Sequence, residues 1–308
     1  MPFAHNGSYS INYDVLGPRD GQPVLMVMGL GAQMIAWREE FCALIVDHGY
    51  QVIRFDNRDI GLSTYTQATP PTVGELVRRA IQLPRQPEPI YTLSDMAADG
   101  MAVLDDLGIE SAHVVGASMG GMIAQTMCIE HPTRTRSLTS IMSTTGSRRV
   151  GHPTPKAVKL LLEPSPDERT ANIEYSVKTF EYLWADLYEP DAMRDYFAQA
   201  YDRARSPHGA AFQLAAVLAG KDRTNALGAL DLPALVIHGR KDPLVRIGGG
   251  MATAAAIPGA QMVIYNGMGH GLPRPLWGDM THQIVSHLNR AEAASMARSD
   301  ALLAQTAS

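Results

Sequence analysis

The sequence lacks long apolar runs and clusters of positive charge. No apolar stretch approaches the roughly 18 residues that a membrane-spanning helix needs, and Met1 to Gly7 do not begin a secretory signal. The net charge is -5, with 26 Lys and Arg against 31 Asp and Glu, so nothing attracts nucleic acid or an anionic membrane. These absences predict a cytoplasmic protein that binds neither nucleic acid nor membranes.

Cysteine is equally scarce. Cys42 and Cys128 are the two cysteines in 308 residues, and each lies within an apolar stretch of helical character. A pair of buried free thiols is a more natural interpretation of such positions than a disulfide or a metal site. We therefore expect no metal and no disulfide.

In the first half of the chain, apolar segments that look like strands alternate with apolar segments that look like helices. Short strand-like runs are separated by helix-like segments of about ten to fifteen residues, which is typical of a parallel sheet with helical crossovers. Ligands of such sheets bind at the carboxyl ends of the strands. The predicted strands in this half are Ser8–Val15, Val24–Met28, Val52–Phe55, His113–Val115 and Ser137–Met142.

The alternation stops near residue 146 and resumes near residue 225. Between them we predict a hinge or irregular entry, then helices from Asp167, over Asp191–Arg203 and over Gly209–Ala219. Strands return at Ala234–His238 and Gln261–Tyr265. The sequence thus predicts an α/β core of residues 1–145 and 225–290, a helical cap of residues 146–224 and a C-terminal tail of residues 291–308.

One short motif carries the strongest functional signal. Gly116-Ala117-Ser118-Met119-Gly120 places a serine between two glycines, after a predicted strand and before a predicted helix. An abrupt strand-to-helix turn with small neighbours exposes the serine hydroxyl at a helix N-terminus, as a nucleophile requires. We predict Ser118 as that nucleophile.

A serine hydroxyl is a poor nucleophile unless a base accepts its proton and an acid orients that base. Asp242 and His270 each follow a late predicted strand, so a parallel sheet would bring both to the edge where Ser118 emerges. The chain order Ser, Asp, His also fits this architecture. His113 and His238 lie within strands, so we assign them structural roles. The prediction is a catalytic triad of Ser118, Asp242 and His270.

Attack on a carbonyl also needs donors for the oxyanion that forms. Backbone N–H groups serve best, because they are rigid and already oriented. We predict the N–H of Met119, directly after the nucleophile, and the N–H of Leu30 in the Gly-flanked loop after Val24–Met28.

These features together resemble serine hydrolases of the α/β-hydrolase superfamily over nearly the whole chain. The resemblance rests on Met28–Gly31, Phe55–Ser63, the serine turn and the loops of Asp242 and His270. It implies an α/β-hydrolase fold, with a mostly parallel eight-stranded sheet, helices on both faces and a helical cap between strands six and seven. Within the superfamily, the chain looks most like the aclacinomycin methylesterase group of capped carboxylesterases.

The chain departs from many of these relatives in the loop that carries the predicted donor Leu30, where Met28 replaces a histidine before Gly29. The backbone donor survives that change, whereas a histidine side chain is lost. The Asp56–Ser63 segment is interpreted as scaffold, with Arg58 and aspartates joining loops beside the site. A serine at the turn argues against the similar haloalkane dehalogenases and epoxide hydrolases, which use aspartate there.

The resulting expectation is a carboxylic ester hydrolase that forms an acyl-enzyme on small or medium apolar esters. This mechanism needs no metal and no organic cofactor. A lactonase, a cofactor-free perhydrolase or a C–C bond hydrolase would use the same triad, since fold does not fix function. A small-molecule receptor with a slow or silent triad is the alternative from a different class.

Overall fold

The computed structural model describes residues 2–84 and 86–306, with side chains as far as residue 297. Eight strands form one sheet in the order β1-β2-β4-β3-β5-β6-β7-β8. β1 pairs with β2 and β2 with β4 in antiparallel fashion, and all other pairs are parallel. The strands are Phe3–Asn6 (β1), Tyr9–Leu16 (β2), Gln22–Val27 (β3), Tyr50–Phe55 (β4), Ala112–Ala117 (β5), Thr135–Ile141 (β6), Ala234–Gly239 (β7) and Gln261–Tyr265 (β8). The predicted α/β fold is confirmed.

Helices connect the strands and fill the interval between β6 and β7. Four precede β6: Glu39–Val46 (α1), Val73–Ala80 (α2), Leu93–Asp106 (α3) and Met119–Glu130 (α4). Five lie between β6 and β7: Pro155–Leu162 (α5), Arg169–Trp184 (α6), Pro190–Arg203 (α7), Gly209–Ala219 (α8) and Thr224–Leu227 (α9). Gly248–Ala256 (α10) joins β7 to β8, and Trp277–Thr306 (α11) follows β8.

The sheet is buried on both faces, which explains why its central strands read as continuous apolar runs. One face packs against α3 and α4 through a cluster that includes Leu25, Val114 and Ile123. The other face packs against α1 and α11 through a cluster that includes Met26 and Val115. Alternate residues of β3 and β5 therefore enter opposite cores, and neither strand has a polar face to show in the sequence.

Two elements differ from the sequence expectation, and a third resolves an alternative that it left open. β1 was not predicted, because its four residues are partly exposed and carry little apolar signal. The stretch expected to be a hinge before Asp167 contains α5, where Thr154 caps the helix and Pro155 occupies its first turn. A last helix was expected over about Leu276–Leu288, followed by a tail that either extends it or frays, and α11 runs on to Thr306, so the tail extends the helix.

The four helices α5–α8 lie within the interval in which no strand was expected, and α9 begins at its last residue. We propose residues 146–224 as the cap, residues 1–145 and 225–290 as the core and residues 291–308 as the tail. Cys42 and Cys128 are buried free thiols, and burial raises the pKa of each to about 12. Among the residues described, every helix is too short or too polar to cross a bilayer.

Candidate active site

Ser118 lies in the turn between β5 and α4 with φ 57° and ψ −119°, a backbone conformation that L-residues rarely adopt. Its N–H donates to the Ile141 carbonyl at 2.9 Å, and its own carbonyl accepts from the Ser143 hydroxyl at 2.8 Å. The neighbouring β6 and the loop after it therefore fix the strained residue from both sides.

The two glycines of the motif are required by the close approach of three backbone segments. A Cβ atom on Gly116 would lie 2.1 Å from the Gly120 carbonyl oxygen, and one on Gly120 would lie 2.0 Å from the Val27 carbonyl oxygen. Both distances are far inside van der Waals contact. The N-terminus of α4 can therefore lie against the ends of β3 and β5 only if both positions lack side chains.

The structure brings the three predicted triad side chains into contact. His270 Nε2 lies 2.8 Å from Ser118 Oγ, although 152 positions separate the residues, and His270 Nδ1 lies 2.7 Å from Asp242 Oδ2. With a carboxylate as partner, Nδ1 carries the proton and donates it. Nε2 is then free to accept from the Ser118 hydroxyl.

The loop after β7 holds Asp242 in this orientation. Its second carboxylate oxygen accepts the Leu244 and Val245 N–H groups at 2.8 and 2.9 Å, and Asp242 is 4% exposed. His238 lies beneath it, donating from Nε2 to the Val245 carbonyl at 2.7 Å, and burial lowers the pKa of His238. His238 is thus neutral, and its hydrogen bond to Val245 supports the loop that carries Asp242.

The loop after β3, Met28–Gln33, lies beside the serine. A Cβ atom on Gly29 would be 3.2 Å from Ser118 Cβ, and the Met28 carbonyl accepts from Asn57 Nδ2 at 2.8 Å. The N–H of Met119 is the first of α4 and has no acceptor within that helix. The backbone around Leu30 and Met119 thus borders the Ser118 side chain, while their role as oxyanion donors stays a prediction.

A cavity of about 490 Å³ opens onto Ser118 and His270. Its volume falls within the usual range for sites that take a small organic molecule. The surrounding side chains are mostly apolar, and the charged ones among them include the exposed Glu40 and Arg274. The apolar and aromatic lining includes Leu30, Met142, Leu160, Phe180, Leu183, Trp184, Met193, Tyr196 and Leu244.

A second serine, histidine and carboxylate lie in contact in the core, away from the cavity. His113 Nδ1 lies 2.8 Å from Ser137 Oγ, and His113 Nε2 lies 3.0 Å from a carboxylate oxygen of Glu292. Ser137 and His113 are completely buried, and neither borders the cavity. Burial also lowers the pKa of His113. This cluster ties β5 and β6 to α11, in keeping with the structural role predicted for His113.

The scaffold segment after β4 makes the contacts expected of it. The Arg58 guanidinium forms two hydrogen bonds of 2.6 Å with the Asp99 carboxylate, both buried. Asp56, fully buried, accepts the Met34 N–H at 2.8 Å and pairs with Arg203 of α7 at 2.8 Å. The segment thereby joins the sheet to α7, beside the loop Met28–Gln33.

The sequence analysis did not predict the contacts between the proposed cap and the loop that carries His270. The His270 N–H donates to the Leu183 carbonyl at 2.6 Å, and the Gly269 N–H donates to the Trp184 carbonyl at 3.1 Å. Both acceptors belong to the last turn of α6. Backbone contacts of this kind leave no residue signature, so only the folded arrangement reveals them. Within the described side chains, no three His, Cys, Asp or Glu residues cluster to hold a metal ion.

Comparisons with known proteins identify the family of the chain. Residues 22–273 match the family described as alpha/beta hydrolase fold. Rhodomycin D methylesterase from Streptomyces peucetius is 27% identical over 90% of this chain and 94% of its own. A 2-hydroxy-6-oxononadienedioate/2-hydroxy-6-oxononatrienedioate hydrolase from Cupriavidus pinatubonensis is 33% identical over 54% of this chain and 58% of its own. The solved structure of a meta-cleavage product hydrolase from Pseudomonas fluorescens has a TM-score of 0.72 at 18% identity, covering 94% of this chain and 98% of that one.

The strained turn makes a prediction about stability. Neither Ser118→Gly nor Ser118→Ala has a hydroxyl, but glycine adopts a positive φ without strain. We expect the glycine variant to have a free energy of unfolding about 1 kcal/mol higher than the alanine variant in urea titrations. An alanine variant as stable as the glycine variant would show that the turn is not strained.

Proposed function

Because the chain belongs to the α/β-hydrolase fold family, we propose that it is a carboxylic ester hydrolase that forms an acyl-enzyme on Ser118. The observation that carries the proposal is the continuous set of contacts from Asp242 through His270 to Ser118, beside an apolar cavity. A full-length relative is a methylesterase, which supports an ester as substrate.

In the first step, Ser118 Oγ attacks the ester carbonyl carbon while His270 Nε2 takes the hydroxyl proton. The carbonyl oxygen becomes an oxyanion and accepts hydrogen bonds from the N–H groups of Leu30 and Met119. Collapse of this intermediate breaks the bond to the alcohol oxygen. His270 returns the proton to that oxygen, so that the alcohol leaves neutral and the acyl group stays on Ser118.

In the second step, water takes the place of the alcohol. His270 Nε2 accepts a proton from the water as its oxygen attacks the acyl carbon, and then protonates Ser118 Oγ as the acid departs. Asp242 stabilises the imidazolium that exists in both steps. Hydrogen bonds from two backbone N–H groups keep the Asp242 carboxylate aligned, so His270 need not reorient between the two steps.

The cavity indicates the class of ester. Its inner wall is apolar, and we propose that it takes an ester whose acyl group is also apolar and of small or medium size. Charged side chains such as Glu40 and Arg274 are exposed and line the outer end, where polar parts of a larger substrate would meet solvent.

C–C bond hydrolysis is the second candidate. It is suggested by the relative that is 33% identical over 54% of this chain and is named as a hydrolase of 2-hydroxy-6-oxononadienedioate, a ketone with two carboxylates. The same triad would serve it. An enzyme of this kind would prefer a dioic ketone to a simple ester, so the ratio of kcat/KM for the two substrate types separates the two proposals.

Replacement of Ser118 tests the proposed function. We expect the wild-type protein to hydrolyse p-nitrophenyl acetate, butyrate and octanoate through many turnovers. In Ser118→Ala, kcat should fall on the order of a million-fold, as in other triads. The measurement is nitrophenolate release at matched protein concentrations, with circular dichroism as the control for folding. Retention of most activity in the alanine variant would refute the assignment of the nucleophile.

A second cavity of about 460 Å³ adjoins the first. Phe180 and Tyr196 border both cavities, whereas Phe197 borders only the second. The rings of Phe180 and Phe197 meet edge to face at 4.9 Å. Phe180 therefore contributes to the partition that limits the length of a bound acyl chain.

This partition predicts a change in chain-length preference. Phe180→Ala should join the two cavities and raise the ratio of kcat/KM for p-nitrophenyl decanoate over butyrate by about tenfold, since apolar contacts of a few methylenes are worth that much. Phe197→Ala removes the other half of the same ring pair and is the matched control, for which the ratio should stay constant. An equal shift in both variants would mean that Phe180 does not set the limit.

A further inference from the structure

The oxyanion loop, Met28–Gln33, is fixed mainly by hydrogen bonds in which a side chain takes part, either from the loop itself or from its neighbours. Within the loop the backbone makes one hydrogen bond, a long one of 3.3 Å from the Ala32 N–H to the Gly29 carbonyl. The Gln33 side chain donates to the carbonyls of Ala200 and Ala204 at the end of α7, at 2.6 and 2.8 Å. The conformation of the loop thus depends on helices of the proposed cap.

The middle of the loop is fixed by a single residue of α8. Gln213 Oε1 accepts the Gly31 N–H at 2.8 Å, and Gln213 Nε2 donates to the Arg58 carbonyl at 2.9 Å. Gln213 is completely buried. The oxygen and the nitrogen of the Gln213 amide are both hydrogen-bonded, and Arg58 is itself paired with Asp99. The amide therefore cannot rotate its oxygen away from the Gly31 N–H.

We propose that Gln213 is a positioning residue for the oxyanion hole, an inference that rests on the proposed function. The N–H groups of Leu30 and Gly31 flank the Leu30 Cα atom, so that fixing the Gly31 N–H constrains φ and ψ of Leu30. That constraint aims the Leu30 N–H at the oxyanion. Gln213 touches neither substrate nor the triad and acts only through the loop.

Loss of the Gln213 amide should destabilise the transition state of the reaction more than it destabilises the fold. Gln213→Met removes the acceptor of the Gly31 N–H but keeps a side chain of similar length in the buried site. The Gly31 peptide group is then free to rotate, and the Leu30 N–H loses its fixed direction. An oxyanion donor contributes mainly after the carbonyl becomes tetrahedral, so kcat falls while KM changes little.

The test compares Gln213→Met with Gln125→Met in the full-length protein. Gln125 is also completely buried on a helix, where its amide contacts Ser140 and Arg223, but it does not touch the loop. We expect kcat for p-nitrophenyl butyrate to fall about tenfold or more in Gln213→Met, with KM within about twofold. In Gln125→Met, kcat should stay at the wild-type value.

Three further readouts distinguish positioning from general damage. The inhibition constant of a trifluoromethyl ketone, whose serine adduct carries an oxyanion, should weaken by the same factor as kcat in Gln213→Met alone. The pH dependence of kcat/KM should keep its wild-type midpoint, because His270 and Asp242 are untouched. Urea titrations should show both methionine variants folded.

The outcomes separate this inference from the proposed function. A wild-type kcat in Gln213→Met, or equal losses of kcat in both variants, would overturn the positioning role while wild-type ester turnover still supports the hydrolase. A wild-type protein that neither hydrolyses the esters nor binds the ketone would overturn the proposed function, and the inference with it.

Discussion

The close approach of three backbone segments at the serine turn is the constraint on which the rest of the site depends. β3, β5 and the first turn of α4 meet so tightly that Gly116 and Gly120 can carry no side chain, and Ser118 adopts a positive φ. This arrangement presents the hydroxyl towards the His270 imidazole and brings the oxyanion loop alongside. A buried sheet provides the rigidity that keeps such a strained turn in place.

The proposed cap contributes to the geometry of the site as well as covering it. The last turn of α6 accepts hydrogen bonds from the His270 loop, and Gln213 of α8 accepts one from the oxyanion loop. α7 adds the pairing of Arg203 with Asp56. The proposed base and the proposed oxyanion donors are therefore linked to the same group of helices, which also forms much of the cavity wall. If these roles are right, a change in the packing of these helices alters both the chemistry and the fit of the substrate.

Much of the fold was predictable because its signals are local. Apolar strands that alternate with helices indicated the parallel sheet, and Ser118, Asp242 and His270 each follow a strand at the edge where such sheets gather their loops. β1 and α5 were missed because short, partly exposed segments carry weak periodicity. Gln213 could not be found, since a glutamine in an apolar helix has no pattern of its own. Its role comes from a contact across 182 positions of the chain.

The proposed acyl-enzyme on Ser118 can be observed directly. p-Nitrophenolate is a good leaving group, so acylation should outrun deacylation and the intermediate should accumulate. Rapid mixing of the protein with p-nitrophenyl butyrate, an acid quench and peptide mass mapping would locate the acyl group. We expect a butyryl adduct on the peptide that contains Ser118. Sustained turnover with that peptide unmodified, or with the acyl group on another residue, would refute the proposed acyl-enzyme.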